Sequence, residues 1–208
     1  MIKLASIACL CFSMAGNLTQ DPAGHHYQYN ALNQLTVFTV RHHTPINYAY
    51  FANGLLAHSQ HYDYYNRYQS VVNSYGSAQW QTQWRVYETL LCHTHAGNTL
   101  FFHNMRQDRL LAISGSTIRA HVYDSYGVDL LHQQQPSYAG YHYDSSSGLY
   151  DDTARFYDPM LGIFLSRDTV SSTNRYAYGS DNPRTYVDPT GHFSTFGLLE
   201  VMGGLTEM

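Results

Sequence analysis

Apolar and polar positions alternate with a period of two along much of the chain, in short runs broken by clusters of Asn, Asp, Gly and Ser. Tyr27-Gln28-Tyr29-Asn30 leads through Asn33-Gln34 to Leu35. Tyr48-Ala49-Tyr50 leads through Asn53-Gly54 to Leu55 and Leu56, 21 residues later. Successive side chains of a strand point to opposite faces, so the two tyrosines of each copy share a face. The polar stretch supplies residues tolerant of positive φ, and the leucine opens a returning strand. The pattern predicts a β-hairpin and its repeat. Looser copies follow at Phe102 to Leu111, Tyr123 to Leu131 and Tyr141 to Leu149, where the spacing predicts one or two extra residues in the turn.

Helical signals are sparse. Trp84 to Cys92 and Phe196 to Met202 are the two candidates, and neither combines a cap with a clear apolar stripe, so both read equally as strands. Tyr, Thr, Val and Phe suit a pleated surface. The prediction is an all-β chain: an antiparallel meander of hairpins, side by side in one twisted, curved and open sheet. Its unpaired edges favour association.

Composition sharpens this picture. Of 208 residues 20 are tyrosine, and 12% are charged, about half the usual ~25% of a soluble domain. Disordered and collagen-like chains are excluded. A tyrosine ring buries apolar area while its hydroxyl needs a partner, and neighbouring hairpins can provide both. Packing is therefore the first reading of the tyrosines, and an exposed carbohydrate platform the second.

With 11 basic against 15 acidic residues, the net charge of −4 offers no footprint for nucleic acid or an anionic membrane. Cys9, Cys11 and Cys92 cannot build a disulfide framework. Residues 1–15 carry Lys3, an apolar run from Leu4 to Phe12 and Ser13-Met14-Ala15, and read as a candidate signal peptide, an apolar strand or a truncated leader. A signal would make the chain secreted or cell-surface and supply its only membrane contact. No other apolar run approaches the ~18 residues of a membrane helix.

Gly16 to Thr36 (GNLTQDPAGHHYQYNALNQLT) resembles the repeat unit of the Rhs and YD-repeat family. The stretch with Tyr143-Asp144, Gly148-Leu149-Tyr150, Ala154-Arg155-Phe156-Tyr157-Asp158-Pro159, Phe164-Leu165-Ser166, Asn182-Pro183 and Asp188-Pro189-Thr190-Gly191 resembles the Rhs repeat-associated core domain. The resemblance implies degenerate repeats over 16–135, a core over 136–191 and a short tail over 192–208. In that family, many hairpins wind into a hollow shell around a toxic carboxyl-terminal segment, and the core separates that segment by self-cleavage. The 17 residues after Gly191 are too few for a stable catalytic domain. The expected role is therefore a structural shell segment without its own toxin, partnered by other repeat segments, a shell-completing chain or a toxin polypeptide.

Self-cleavage is the enzymatic alternative. The resemblance implies an acidic pair with a nearby arginine, which maps onto Arg167-Asp168-Thr169-Val170-Ser171 and Asp188-Pro189-Thr190-Gly191-His192. Asp168 with Asp188 or Asp181 would supply two carboxylates, and Arg167 would hold one ionised. Cleavage is expected after Gly191/His192, with His192 just before the presumed scissile bond. His192 replaces the family's leucine there, at a cost unless its imidazole finds a partner. The competing reading makes Asp168, Asp181 and Asp188 simple turn starters.

The 13 histidines include His25-His26, His42-His43 and Cys92-His93-Thr94-His95. His93 and His95 share a strand face, but no third ligand lies at a diagnostic spacing, so no metal is expected. The histidines are expected on solvent faces of strands. No phosphate loop, nucleophile elbow or zinc-protease motif occurs, and no cofactor is expected.

Overall fold

A computed structural model describes residues 9–59, 97–134, 136–171 and 174–196 in full, and residues 62–67, 70–76, 79–86 and 89–94 as backbone. Strands β1 (Cys11–Phe12), β2 (Leu18–Gln20), β3 (His26–Tyr29), β4 (Leu35–Thr39), β5 (Ile46–Tyr50) and β6 (Leu56–Ser59) open the chain. They continue as β7 (Tyr62–Arg67), β8 (Ser70–Gly76), β9 (Gln79–Val86) and β10 (Thr89–Thr94), then β11 (Gly97–His103), β12 (Arg109–Ser114) and β13 (Thr117–Ala120). Each is antiparallel to the next, so chain order is sheet order through all 13 strands. The candidate helix at Trp84 to Cys92 falls on β9 and β10. Residues 197–202 of the other candidate lie outside the described residues, as does His95 of the Cys-His-Thr-His group.

One turn recurs along the meander. It closes between residues six apart: Phe12 with Leu18, Gln20 with His26, Tyr29 with Leu35, Tyr50 with Leu56, His103 with Arg109 and, as an isolated bridge, Tyr123 with Asp129. The fourth residue of each enclosed loop, Gly16, Gly24, Asn33, Gly54, Gln107 or Gly127, has positive φ. In five of these loops the first residue accepts the backbone N–H of the fifth on its side-chain oxygen: Ser13, Asp21, Asn30, Asn104 and Asp124. Phe51 has no such oxygen, and there Asn53 takes the N–H of Leu55 at 3.2 Å. The extra residues expected at 102–111 and 123–131 are absent. The turn at 141–149 is one residue shorter, with Asp144 opposite Leu149.

The chain then builds a separate four-stranded antiparallel sheet from β14 (His142–Asp144), β15 (Leu149–Asp152), β16 (Arg155–Asp158) and β17 (Ile163–Phe164). A single 3-10 turn at Gly179–Asp181 precedes the final pair, β18 (Tyr186–Val187) and β19 (Thr195–Phe196). Period-two alternation divides the small sheet between two cores. Leu149, Phe156 and Leu165 pack with Leu18, Tyr27, Leu35, Phe38, Ile46, Tyr48 and Leu56 of the hairpins. Tyr150, Tyr157 and Phe164 pack on the opposite side with Tyr138, Tyr141 and Tyr178. Because both faces are covered, all four residues of β16 are buried, and its charged ends Arg155 and Asp158 need internal partners.

Both ends of the meander dock on this region. Leu165 O accepts the Leu18 N–H at 2.8 Å and the Tyr29 hydroxyl at 3.2 Å, while the Tyr176 hydroxyl donates to Gly16 O at 2.8 Å. At the other end Arg109 N–H donates to Ser137 O at 2.7 Å, and Asp108 accepts the Ala139 N–H at 2.8 Å. The Phe12 ring meets Tyr176 at 4.9 Å, so the described part of the apolar leader forms a strand.

The tyrosines act as ring-filled core with a polar tip. Tyr50, Tyr138, Tyr150 and Tyr157 donate to the backbone carbonyls of Leu35, Ser125, Gly127 and Tyr126. Tyr27 donates to Asp21. Tyr143 is half-buried beside Tyr150. These rings are packed inside or half covered. Histidine placement also departs from expectation. His26, His42 and His43 are exposed, but His103 and His121 are buried, and His121 Nδ1 lies 3.0 Å from Asp129.

Candidate functional site

The site forms where the β15–β16 turn meets the loop after β18. Asp188 opens that loop and uses the turn chemistry of the repeats. Its Oδ1 accepts the N–H groups of Thr190, His192 and Phe193 at 3.3, 3.0 and 3.1 Å, and Gly191 in fourth place has φ +71°. A Cβ at Gly191 would stand 3.0 Å from the Asp152 carbonyl oxygen and 3.2 Å from the Ala154 Cβ. Only glycine satisfies both the backbone angle and this approach.

Arg155 organises the cluster. Its guanidinium lies over the Phe164 ring, 3.7 Å from the centroid, and its side chain is 4% exposed. Nη2 is 2.9 Å from Asp168 Oδ2 and 3.7 Å from Asp188 Oδ2, Nη1 donates to Arg175 O at 3.0 Å, and Nε donates to the carbonyl oxygen of Gly191. One buried cation therefore joins both carboxylates to the loop. His192 finds its partner in Asp168, with Nδ1 2.9 Å from Oδ1, which offsets the cost of placing an imidazole there.

The structure brings Asp168, Asp188, Gly191 and His192 together and corrects two of the expected participants. Arg167 is exposed, and the arginine paired with Asp168 is Arg155. In the irregular segment after β17, the Arg167 stem lies beside Gly16 while Asp168 is buried. Asp181 is exposed on the 3-10 turn, where its nearest partner is the Asn174 amide at 3.4 Å. Asp168 and Asp188 also start a bend and a turn, Asp168 capping the Val170 N–H at 2.9 Å, whereas Asp181 ends the 3-10 turn. The arginine left a trace in the sequence: a cation in an otherwise aromatic strand must either leave the sheet or find buried acids.

Sequence reasoning missed Asp152. It ends β15, is 2% exposed, and its Oδ2 has no hydrogen-bond partner. Burial pushes its carboxyl well above the usual range, with the Asp188 and Asp151 charges adding and Arg155 and the Tyr141 hydroxyl opposing. Burial also raises Asp188, against the pull of Arg155 and the turn amides. Chemically, the Gly191–His192 peptide is held at both ends: Arg155 sits where a developing oxyanion would be stabilised, and Asp188 accepts from its nitrogen. Among the described residues, no group of three or more His, Cys, Asp or Glu side chains is arranged to hold a metal ion.

Comparison with known proteins follows this geometry. No family model matches the chain. It is similar to the tRNA3(Ser)-specific nuclease WapA of Bacillus spizizenii, 37% identical over 121 residues, which covers 50% of this chain and 5% of that protein. It is also similar to the double-stranded DNA deaminase toxin A of Burkholderia cenocepacia, 38% identical over 76 residues, or 35% of this chain and 5% of that one. Among solved structures it superposes on the Photorhabdus luminescens Tc holotoxin pore with a TM-score of 0.69 and 18% identity, over 88% of this chain and 11% of that chain. The match thus spans about a twentieth of each of these two curated relatives. Its all-β antiparallel fold is that of a segment of the Tc toxin chains. The sequence likenesses support a toxin-associated, Rhs-like relationship.

Proposed function

We propose that the chain is a structural segment of a toxin-encapsulating β-shell of the Rhs and YD-repeat kind. The observation that carries this is the docking of both ends of the hairpin meander onto one carboxyl-terminal region. That docking fixes a curved wall and, among the described residues, leaves the first and last strands as unpaired edges. Further repeat segments, or a chain that completes the shell, would pair with those edges, and a toxin polypeptide would be the cargo. Light scattering of the purified chain tests this. Concentration-dependent association is expected, and a clean monomer at high concentration counts against it.

A second reading is favoured by the contacts of Arg155 with Asp168, Asp188 and the Gly191 carbonyl. In it, the carboxyl-terminal region hydrolyses its own chain at Gly191/His192 and so frees whatever follows. Intact-mass measurement after expression tests this: a fragment ending at or beside His192 that disappears in Asp168→Asn supports it, and a full-length mass removes it.

A further inference from the structure

Strand β15 carries two adjacent aspartates that face opposite ways. Asp152 stands across from Arg155 on one face, and Asp151 across from Phe156 on the face turned to the hairpins. Between Asp151 and the loops that follow Tyr29 and Tyr50 lies a cavity of 20 Å³, open to solvent on one side. Asp151, Tyr29, Tyr50, Gln34 and Gly54 form part of its wall. One water needs about 10–15 Å³ of such space, so the cavity takes a single small polar head.

The wall has engaged its protons elsewhere and kept its acceptors. The Tyr29 hydroxyl donates to Leu165 O at 3.2 Å and the Tyr50 hydroxyl to Leu35 O at 2.6 Å, so each phenol oxygen can now only accept. Gln34 gives an amide proton to Gly54 O at 3.2 Å. Asp151 and Tyr29 both act electrostatically on the Tyr50 hydroxyl, so the three groups are neighbours. Among the described residues no cation answers the carboxylate. Arg155 borders the cavity but directs its guanidinium to Asp168 and Asp188. His142, across from Asp151 on β14, is kept neutral by burial, which pulls it down to about 4. Burial pushes the Asp151 carboxyl up to about 7 against the pull of the Thr153 N–H, and the Asp144 charge adds to the rise.

A water molecule would leave this carboxylate without a counter-charge, and a hard metal ion takes about six or more oxygen ligands. An ammonium head brings the charge and three N–H donors in the space of a water. Its three donors match the three acceptors, Asp151, Tyr29 and Tyr50. We infer that this cavity binds the ammonium head of a lysine side chain, with Asp151 as its counter-ion and the carbon stem leaving through the open side. Lys3 is the only lysine of the chain and lies outside the described residues, so the side chain comes from Lys3 or from a partner chain. The site involves neither sheet edge and not the Gly191 loop, and stands apart from both readings above.

Carboxyl-carbon NMR of the full chain, isotope-labelled in aspartate, tests this by pH titration with n-butylammonium chloride as the probe. The Asp151 signal is the one missing from Asp151→Asn or, should that variant unfold, is assigned through its own backbone amide. It is expected to titrate near 7 in the chain alone. In saturating n-butylammonium it should titrate lower by about one pH unit or more, and equal potassium or tetramethylammonium chloride should not move it. That result supports the site and assigns the lysine to a partner chain. An equal shift in potassium makes the cavity a metal-ion site. An equal shift in tetramethylammonium, which has no N–H, reduces the effect to charge alone. Either overturns the inference, and so does a signal that no salt moves, which leaves a cavity holding only water. Should the wild-type signal already titrate in the ordinary aspartate range, Lys3→Met decides: a return to near 7 assigns the ammonium to Lys3, and no change overturns the inference.

Discussion

The Tyr48 hydroxyl donates to Asp144 at 2.6 Å, joining β5 of the second repeat to β14 of the small sheet across 96 residues of sequence. Asp144 is 1% exposed and also accepts from Ser59 and Ser147. A tyrosine of one hairpin thus neutralises part of the desolvation cost of an aspartate that starts a turn elsewhere. Tyr48→Phe removes that donor and keeps the ring against Phe156. Loss of about 1.5–3 kcal/mol is expected from urea unfolding, as for a hydrogen bond to a charged group. A loss under a few tenths would mean that the serines alone satisfy the carboxylate.

Gly191 and Gly24 separate backbone conformation from crowding. Both have positive φ, but a Cβ at Gly24 meets nothing within 4 Å, whereas one at Gly191 meets the Asp152 carbonyl at 3.0 Å. Gly24→Ala should cost about 1–2 kcal/mol from the left-handed conformation alone. Gly191→Ala should cost clearly more, and equal losses in chemical denaturation would refute the close approach.

Removing the buried cation isolates its acids. Arg155→Met should destabilise the chain by about 3–5 kcal/mol, because the buried carboxyls of Asp168, Asp188 and Asp152 lose the one guanidinium they share. The loss should shrink at acid pH, where protonation neutralises the cluster. Unfolding measured across pH checks both magnitude and trend.

Asp152 sets its own pH dependence. Its carboxyl is raised in the folded chain from an ordinary value of 3.8, so between that value and the folded one the native state holds more protons than the unfolded state. Its contribution is therefore fully present below pH 3.8 and is lost as pH rises through the folded value. Asp152→Asn cannot ionise, so its stability advantage over the wild type should grow as pH rises across this window. A constant difference between the two proteins would contradict the raised carboxyl.

Much of the fold was legible because turn chemistry is local. Tyr29, Leu35, Tyr50 and Leu56 announced two hairpins, and the Asn, Asp and Gly residues between them carry the bonds that close the loops. Turn length was misjudged at Asn104 and Asp124, since the side chain that fixes it accepts from a residue four positions on and leaves no mark on the apolar pattern. The site was half legible. Asp168 and Asp188 stood in recognisable motifs. Arg155 was hidden because a strand covered on both faces loses the alternation that marks inward positions, and Asp152 because only its burial, which nothing in the sequence marks, sets it apart.

The docking contacts also fix an order of events during synthesis. Tyr176 bonds to Gly16 across 160 residues, and Leu18 and Tyr29 both bind Leu165. The hairpins made first therefore emerge from the ribosome long before the residues that cover Leu18, Tyr27 and Phe38 exist. At roughly 5–20 residues per second, that apolar face waits about 5–30 seconds without its cover. Nascent chains would need a chaperone or a neighbouring hairpin as a temporary lid, and the last quarter of the chain acts as the latch that ends this exposure.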